Sequence, residues 1–295
     1  MTTLAAPTPD SPATRAPAAP AAGAQTVRAG VVNYINTLPL IDGLAGLAGL
    51  QLRPEVPSRL VELLASGEVD IALCSAVDVV LSPVPLLVVP VGMLGCAGET
   101  LTVRLFARTP LEQVRTLAAD QDSHTSRALA QLLLRERFGT APRVIDYDRR
   151  RGPRDPEADA MLLIGDKVIN DAPDARTWPH QLDLGEAWHA WTGLPFVFAT
   201  WFIRADAPEP LRARLRTVAR VLDHQRRHNR ERIDGIVACE AAAHGWPAAT
   251  ARRYLRELLR FDLDAPARQG LELFLQRAHA AGVIPAPAPL RTFDW

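Results

Sequence analysis

A chain of 295 residues with no formal net charge, 22 % charged and 48 % hydrophobic, has an ordinary soluble balance and the length for two lobes. No block of like charge is present to grip nucleic acid, and no uninterrupted apolar run reaches the ~20 residues of a membrane span. Cys74, Cys96 and Cys239 are odd in number and lack CxxC spacing, which argues against a disulfide framework or structural zinc and suits reduced thiols in the cytoplasm.

Residues 2–26 are rich in Ala, Pro and Thr, with no bulky apolar residue beyond Leu4. Such a segment cannot bury enough surface to offset its ordering entropy, so residues 1–26 are expected to form a disordered, dispensable tail. They also lack the basic and apolar regions of a secretory signal.

Val27–Val32 reads as a strand, followed by Asn33-Tyr34-Ile35-Asn36-Thr37-Leu38-Pro39 and helical spacing over Leu40–Leu47. Leu50–Val56 reads as a second strand. Ser58, after Pro57, is placed to cap a helix running through Ala65, which Gly67 stops. Val69–Cys74 and Leu86–Val91 read as buried strands, and their alternation with short helices predicts a parallel sheet wrapped in helices. Leu101–Ala107, Val114–Ala118, Val144–Tyr147, Ala160–Ile164 and Phe196–Ile203 read as further strands. An amphipathic helix spans Ser126–Phe138 and a short one Asp183–Trp191. After Pro208 the pattern is helical, over Pro208–Ala243, Ala248–Leu259 and Ala265–Ala281. The arrangement predicts an α/β chain in two lobes, 27–107 with 199–295 forming the first and 108–198 inserted as the second. A two-strand hinge is expected near Thr102 and Ala199. Ligands of open α/β sheets bind at carboxyl ends of strands, in such crossover clefts.

Asn36 stands at the end of the first strand, where an amide either faces a ligand or bonds its own turn. Ser123, Thr125 and Ser126 precede a helix, whose unpaired N–H groups and positive end favour an anion; ordinary N-capping accounts for one of them. Ser75 and Thr102 are further cleft candidates. Gly165 ends a buried strand and permits close backbone approach, and Asp166 either caps the next helix or faces the cleft. His224 and His228 have a metal-ligand spacing, but without the glutamate of HExxH, and among Gln225, Arg226, Arg227 and Asn229, they read as a solvated helix face. No GxGxxG, GxSxG or P-loop pattern appears, so neither metal nor cofactor is expected.

Several segments, in order, resemble the chorismate dehydratase family of the futalosine route to menaquinone. They are residues 33–40, Gly67 through Leu73, Gly98 through Thr102, Asp120 through Ser126, Leu163 through Asp166, Asp183 through Trp188, Leu194 through Trp201, and Tyr254 through Leu263 with Gly270-Leu271. The resemblance spans residues 27–285; Thr102 departs from it, standing where Ser is expected. It implies a two-lobed, periplasmic-binding-protein-like (type II) fold with a helical C-terminal segment. It implies a cofactor-free hydro-lyase converting chorismate to 3-[(1-carboxyvinyl)oxy]benzoate. Asn36 is then the catalytic residue, orienting substrate and bonding the leaving hydroxyl. Thr37, Ser58, Ser75, Thr102, Ser123, Thr125, Ser126, Gly165 and Asp166 are the expected substrate-binding set. No His or Glu is marked as a general base, which makes the substrate's enolpyruvyl carboxylate a candidate for that role. The expected partner is the small substrate alone, without nucleic acid or membrane, for a cytoplasmic monomer or homodimer. The competing readings are a sister 1,4-dihydroxy-6-naphthoate synthase and a non-catalytic binding protein for small carboxylates.

Overall fold

A computed structural model describes residues 26–295 of the protein. All but the last residue of the expected disordered tail lie outside that range. The chain opens with β1 (Val27–Val31), a 3₁₀ turn over Ile35–Thr37, and a single-turn α1 (Leu38–Ile41). Helix does not continue to Leu47, because Gly43 adopts a left-handed φ of 83° and turns the chain. β2 (Leu50–Pro54) and α2 (Pro57–Ser66) follow. Pro57 occupies the first turn, where its missing N–H costs nothing, and Gly67 closes the helix at φ 76°. The N-cap is therefore Val56; Ser58 lies inside the helix, and no side-chain cap bond forms.

β3 (Ile71–Ser75) is buried throughout and leads through α3 (Asp78–Leu81) to the long β4 (Leu86–Cys96). The chain then enters β5 (Val103–Ala107) and β6 (Thr116–Asp120). α4 (His124–Phe138) starts two residues earlier than its apolar spacing indicates, because Ser123 Oγ caps it by accepting from the Ser126 N–H at 3.2 Å. β7 (Arg143–Tyr147), β8 (Ala160–Ile164), α5 (Asp166–Asn170) and β9 (His180–Asp183) complete the second sheet and its flank. Asp183 then caps α6 (Leu184–Thr192) by accepting from Gly185 and Glu186 N–H. β10 (Phe196–Arg204) returns to the first sheet. The remainder is helical: α7 (Glu209–Glu231), α8 (Ile233–Glu240), α9 (Ala248–Arg253), a π turn over Tyr254–Leu258, the short β11 (Leu259–Arg260) and α10 (Ala265–Ala280).

The first sheet has the order β11-β4-β10-β3-β1-β2, the second β7-β6-β8-β5-β9. In the first sheet the expectation of parallel strands holds only for β1 with β2 and β3; β10 is antiparallel to both its neighbours, as is β11 to β4. The cause is topological: β10 comes back from the second lobe and slots between β3 and β4. The lobe boundaries also move. Val103–Ala107, assigned above to the first lobe, pairs with β8 and β9 in the second sheet. The excursion leaves after Cys96 and returns at Phe196, its direct strand partner. Each sheet has its own apolar core, with Trp201, Tyr254 and Leu222 in the first and Trp188, Phe196 and Phe274 in the second. Among the described residues no helix is long and apolar enough to cross a membrane.

Candidate active site

Between the two sheets lies a partly open cavity. Six of the residues singled out from the sequence share its wall: Asn36, Ser75, Thr102, Ser123, Ser126 and Gly165. They stand at strand ends (Ser75, Thr102), in the 3₁₀ turn after β1 (Asn36) or at helix starts (Ser123, Ser126, Gly165), where the backbone turns toward the cleft. The other four do not line it. Thr37 is buried and donates its hydroxyl to Asn36 Oδ1 at 3.2 Å. Ser58 yields its place to Pro57, which does line the cavity. Thr125 Oγ1 accepts from the Val77 N–H at 3.1 Å. Asp166 turns away to Trp246 Nε1 at 3.0 Å and His244 Nδ1 at 3.2 Å. Burial pushes its carboxyl above the usual range, against those two bonds.

The cavity's polar groups are neutral. Among the described residues none of its lining is Asp, Glu, Lys, Arg or His. At the start of α4, Ser123 Oγ donates to Ser126 Oγ at 2.9 Å, leaving the Ser126 hydroxyl proton for a ligand beside the helix's unpaired N–H groups. On the opposite side, Asn36 Nδ2 donates to Tyr254 Oη at 3.3 Å, and Tyr254 Oη and Thr102 Oγ1 lie 2.5 Å apart. The segment carrying Thr100 and Thr102 is held by the buried Asp183, which accepts from the Thr100 and Leu101 N–H groups at 3.0 and 2.8 Å. Those bonds sustain a left-handed Leu101 at φ 63°, a local strain placed at the cavity wall. α6 approaches the same segment so closely that a Cβ on Gly185 would sit 2.8 Å from Gly98 O. Val32, Leu94, Phe198 and Leu259 supply the apolar walls.

Charged groups surround the cavity without entering it, and several bridge the lobes. Tyr34 Oη donates to Asp122 Oδ2 at 3.2 Å. Lys167, the chain's single lysine, donates to Asp122 at 2.9 Å and forms an ion pair with Asp120 at 2.5 Å; Arg150 reaches Asp122 at 3.0 Å. Asp78, wholly buried beside the first sheet, takes His124 Nδ1 of α4 at 2.6 Å. Burial raises the Asp78 carboxyl while His124 opposes that shift, and hydrogen bonding to Asp78 raises the His124 imidazole. The phenols of Tyr34 and Tyr254 are both pushed far up, chiefly by burial, so both stay protonated.

The model of a menaquinone-biosynthesis family matches residues 27–280. The chain belongs to that family. A chorismate dehydratase of Thermus thermophilus is 33 % identical over 248 residues, 79 % of this chain and 87 % of that protein. Among solved structures, a Candida albicans protein with the generic periplasmic binding protein fold superposes with a TM-score of 0.64 at 13 % identity, covering 92 % of this chain and 98 % of the other. The periplasmic aliphatic sulphonate binding protein of Escherichia coli gives a TM-score of 0.60 at 14 % identity, with 91 % and 97 % covered. These distant likenesses establish the periplasmic-binding-protein-like fold.

For this family member, sequence reasoning overlooked much of the wall. Tyr254 is the chief omission: it sits in a helical stretch 218 residues from the Asn36 it touches. Its only local signal is a tyrosine in an apolar stripe, whose hydroxyl needs a partner when buried. Tyr34 and Thr100 lie inside the segments of family resemblance and are equally unassigned. No group of three or more His, Cys, Asp or Glu among the described residues is arranged to hold a metal ion.

Proposed function

We propose that the chain is a chorismate dehydratase of menaquinone biosynthesis, eliminating water from chorismate to give 3-[(1-carboxyvinyl)oxy]benzoate. The observation that carries this is the 33 % identity to the Thermus enzyme over most of both chains. The cavity suits the chemistry. Its neutral hydroxyls and helix terminus are fit to hold a dianion without a buried counter-charge. The ring proton on the carbon bearing the enolpyruvyl ether is acidified by the adjacent alkene and carboxylate, and the product is aromatic. The protein's part is to orient the substrate, exclude water and hydrogen-bond the departing hydroxyl.

Asn36 makes that bond in this reading; an amide does not titrate near neutrality, so it orients and donates but is no base. The cavity wall offers no carboxylate or imidazole, and both tyrosines are held as phenols. The proton therefore passes to the substrate's own enolpyruvyl carboxylate and leaves with the hydroxyl as water. Ser75, Ser123 and Ser126 cradle the carboxylates, with Thr102 on the same wall joined to Tyr254 and Gly165 allowing close approach. The protein works in the cytoplasm as a monomer or homodimer, with no nucleic-acid or membrane partner and no metal. The naphthoate-synthase and binding-protein readings are not favoured by the family relationship. Purified protein dialysed against EDTA is expected to convert chorismate to a product one water lighter by mass spectrometry. Unconsumed chorismate, or turnover restored only by added metal, refutes the proposal.

A further inference from the structure

Tyr254 is completely enclosed, lines the cavity and touches the two polar residues that flank it. It begins a π turn, in which the Leu259 N–H bonds back to the Tyr254 carbonyl and local helical register is broken. Its ring stacks on Trp246, centroids 5.0 Å apart and planes 16° from parallel. Trp246 is in turn tied to Asp166 of α5, in the second lobe. The phenol oxygen is thus fixed by its surroundings rather than by the bonds it makes.

Tyr254 Oη accepts from Asn36 Nδ2, and its short contact with Thr102 Oγ1 can carry the proton from either oxygen. Thr102 Oγ1 in turn lies 3.5 Å from the Thr100 carbonyl. Thr37 closes the other end by donating to Asn36 Oδ1. Both faces of the Asn36 amide are assigned, and one Nδ2 proton remains.

We propose that Tyr254 is a positioning residue for the dehydration: through the relay Asn36–Tyr254–Thr102–Thr100 it fixes the Asn36 amide so that its remaining Nδ2 proton meets the departing hydroxyl. The proposal rests on the chorismate reading for its substrate. Tyr254 neither takes nor gives a proton; losing its hydroxyl frees the amide to rotate and leaves the Asn36 donor misaimed when the carbon–oxygen bond breaks. A bond that matters as the hydroxyl leaves shows in kcat and spares KM.

The test is steady-state kinetics on Tyr254→Phe, which keeps the ring stacked on Trp246. Direct removal of a well-placed donor costs about 10²–10³ in rate, so an indirect loss of aim is expected at about tenfold in kcat, with KM changed less than about threefold. In an Asn36→Ala background the same change is expected to add nothing, because Tyr254 acts only through that amide. Thr102→Val, isosteric and lacking the hydroxyl, is expected to lower kcat in the same direction, and it carries the test should Tyr254→Phe fold poorly. Wild-type kcat in Tyr254→Phe or, failing that variant, in Thr102→Val overturns the proposal, as does a full multiplicative loss in the double variant. The side-chain amide protons of Asn36 in ¹⁵N-labelled protein give a reading independent of substrate. They are expected to exchange slowly with solvent in the wild type and to shift and exchange faster in Tyr254→Phe. Unchanged amide resonances sink the relay alone, whereas a wild-type protein that leaves chorismate intact sinks only the choice of substrate.

Discussion

His124→Ala isolates the ion pair that joins the start of α4 to the first lobe. Asp78 has no exposed side-chain surface, His124 retains 31 %, and Asp78 Oδ2 has no hydrogen-bond partner among the described residues. Removing the imidazole leaves a buried carboxylate uncompensated. Breaking a fully buried pair costs about 3–5 kcal/mol; the solvent access of His124 reduces that here to about 2–3 kcal/mol near neutral pH. The deficit depends on pH with a definite sign. The folded His124 is raised above its unfolded value, so its stabilisation is complete below that unfolded value and fades as pH rises through the folded one. In the variant, Asp78 keeps the upward push of burial without the histidine, so the folded state takes up a proton on acidification and recovers stability. The gap between variant and wild type is therefore largest around neutrality and narrows on both sides. Urea unfolding of both proteins across pH 5 to 9 measures it. A gap below about 0.5 kcal/mol, or one that does not vary with pH, refutes the argument that this pair is a buried ionic contact.

Asn36→Ala is expected to lower kcat about 10²–10³-fold with the melting temperature nearly unchanged, and Asn36→Asp to do worse by repelling a dianion; steady-state kinetics with thermal melts checks both. Ser126→Ala should mainly raise KM, since an anion cradle holds ground and transition states alike. Thr125→Val should instead destabilise by about 1–3 kcal/mol in denaturant titration, because it orphans the buried Val77 N–H. Gly270→Ala should cost about 3 kcal/mol or more by the same measurement: a Cβ there would overlap the Pro195 carbonyl oxygen, and neither backbone can give way.

Continuous apolar runs and clean helical periods are what sequence displays best. Ala160–Ile164 coincides with β8, and the helix expected over Ala265–Ala281 ends within one residue of α10. The edge strand β9 escapes notice because His180 and Gln181 are polar, and only backbone pairing with β5 makes the segment a strand. Strand direction is equally hidden, since side-chain alternation is the same in parallel and antiparallel pairs; the place of β10 follows from the detour, not from its own residues. At the cavity, cap and strand-end residues are legible because their signals are local. Thr37, Thr125 and Asp166 show the limit of that reasoning. Each adjoins a lining residue, yet the geometry of turn or helix turns it toward a neighbouring side chain, the backbone or the other lobe. Tyr254 opens a segment of family resemblance, yet its role is hidden there, since its partners are brought to it only by folding.

The detour between β4 and β10 also sets an order of assembly during synthesis. All five strands of the second sheet come from the contiguous stretch 103–183, whereas the first sheet draws on strands from Val27 to Arg260. Its β4 is further tied near the end of the chain, where the Phe293 N–H donates to the Val88 carbonyl at 2.8 Å. The second sheet can therefore pair its strands while the ribosome is still working, although its core is completed only by α10, and the first sheet must wait for β10 and β11, on the order of seconds later at ordinary elongation rates. During that interval β3 and β4 have no β10 between them and show open edges to solvent. Stalled or C-terminally truncated products should accordingly be aggregation-prone in their N-terminal third, with the second sheet paired but lacking the α10 side of its core.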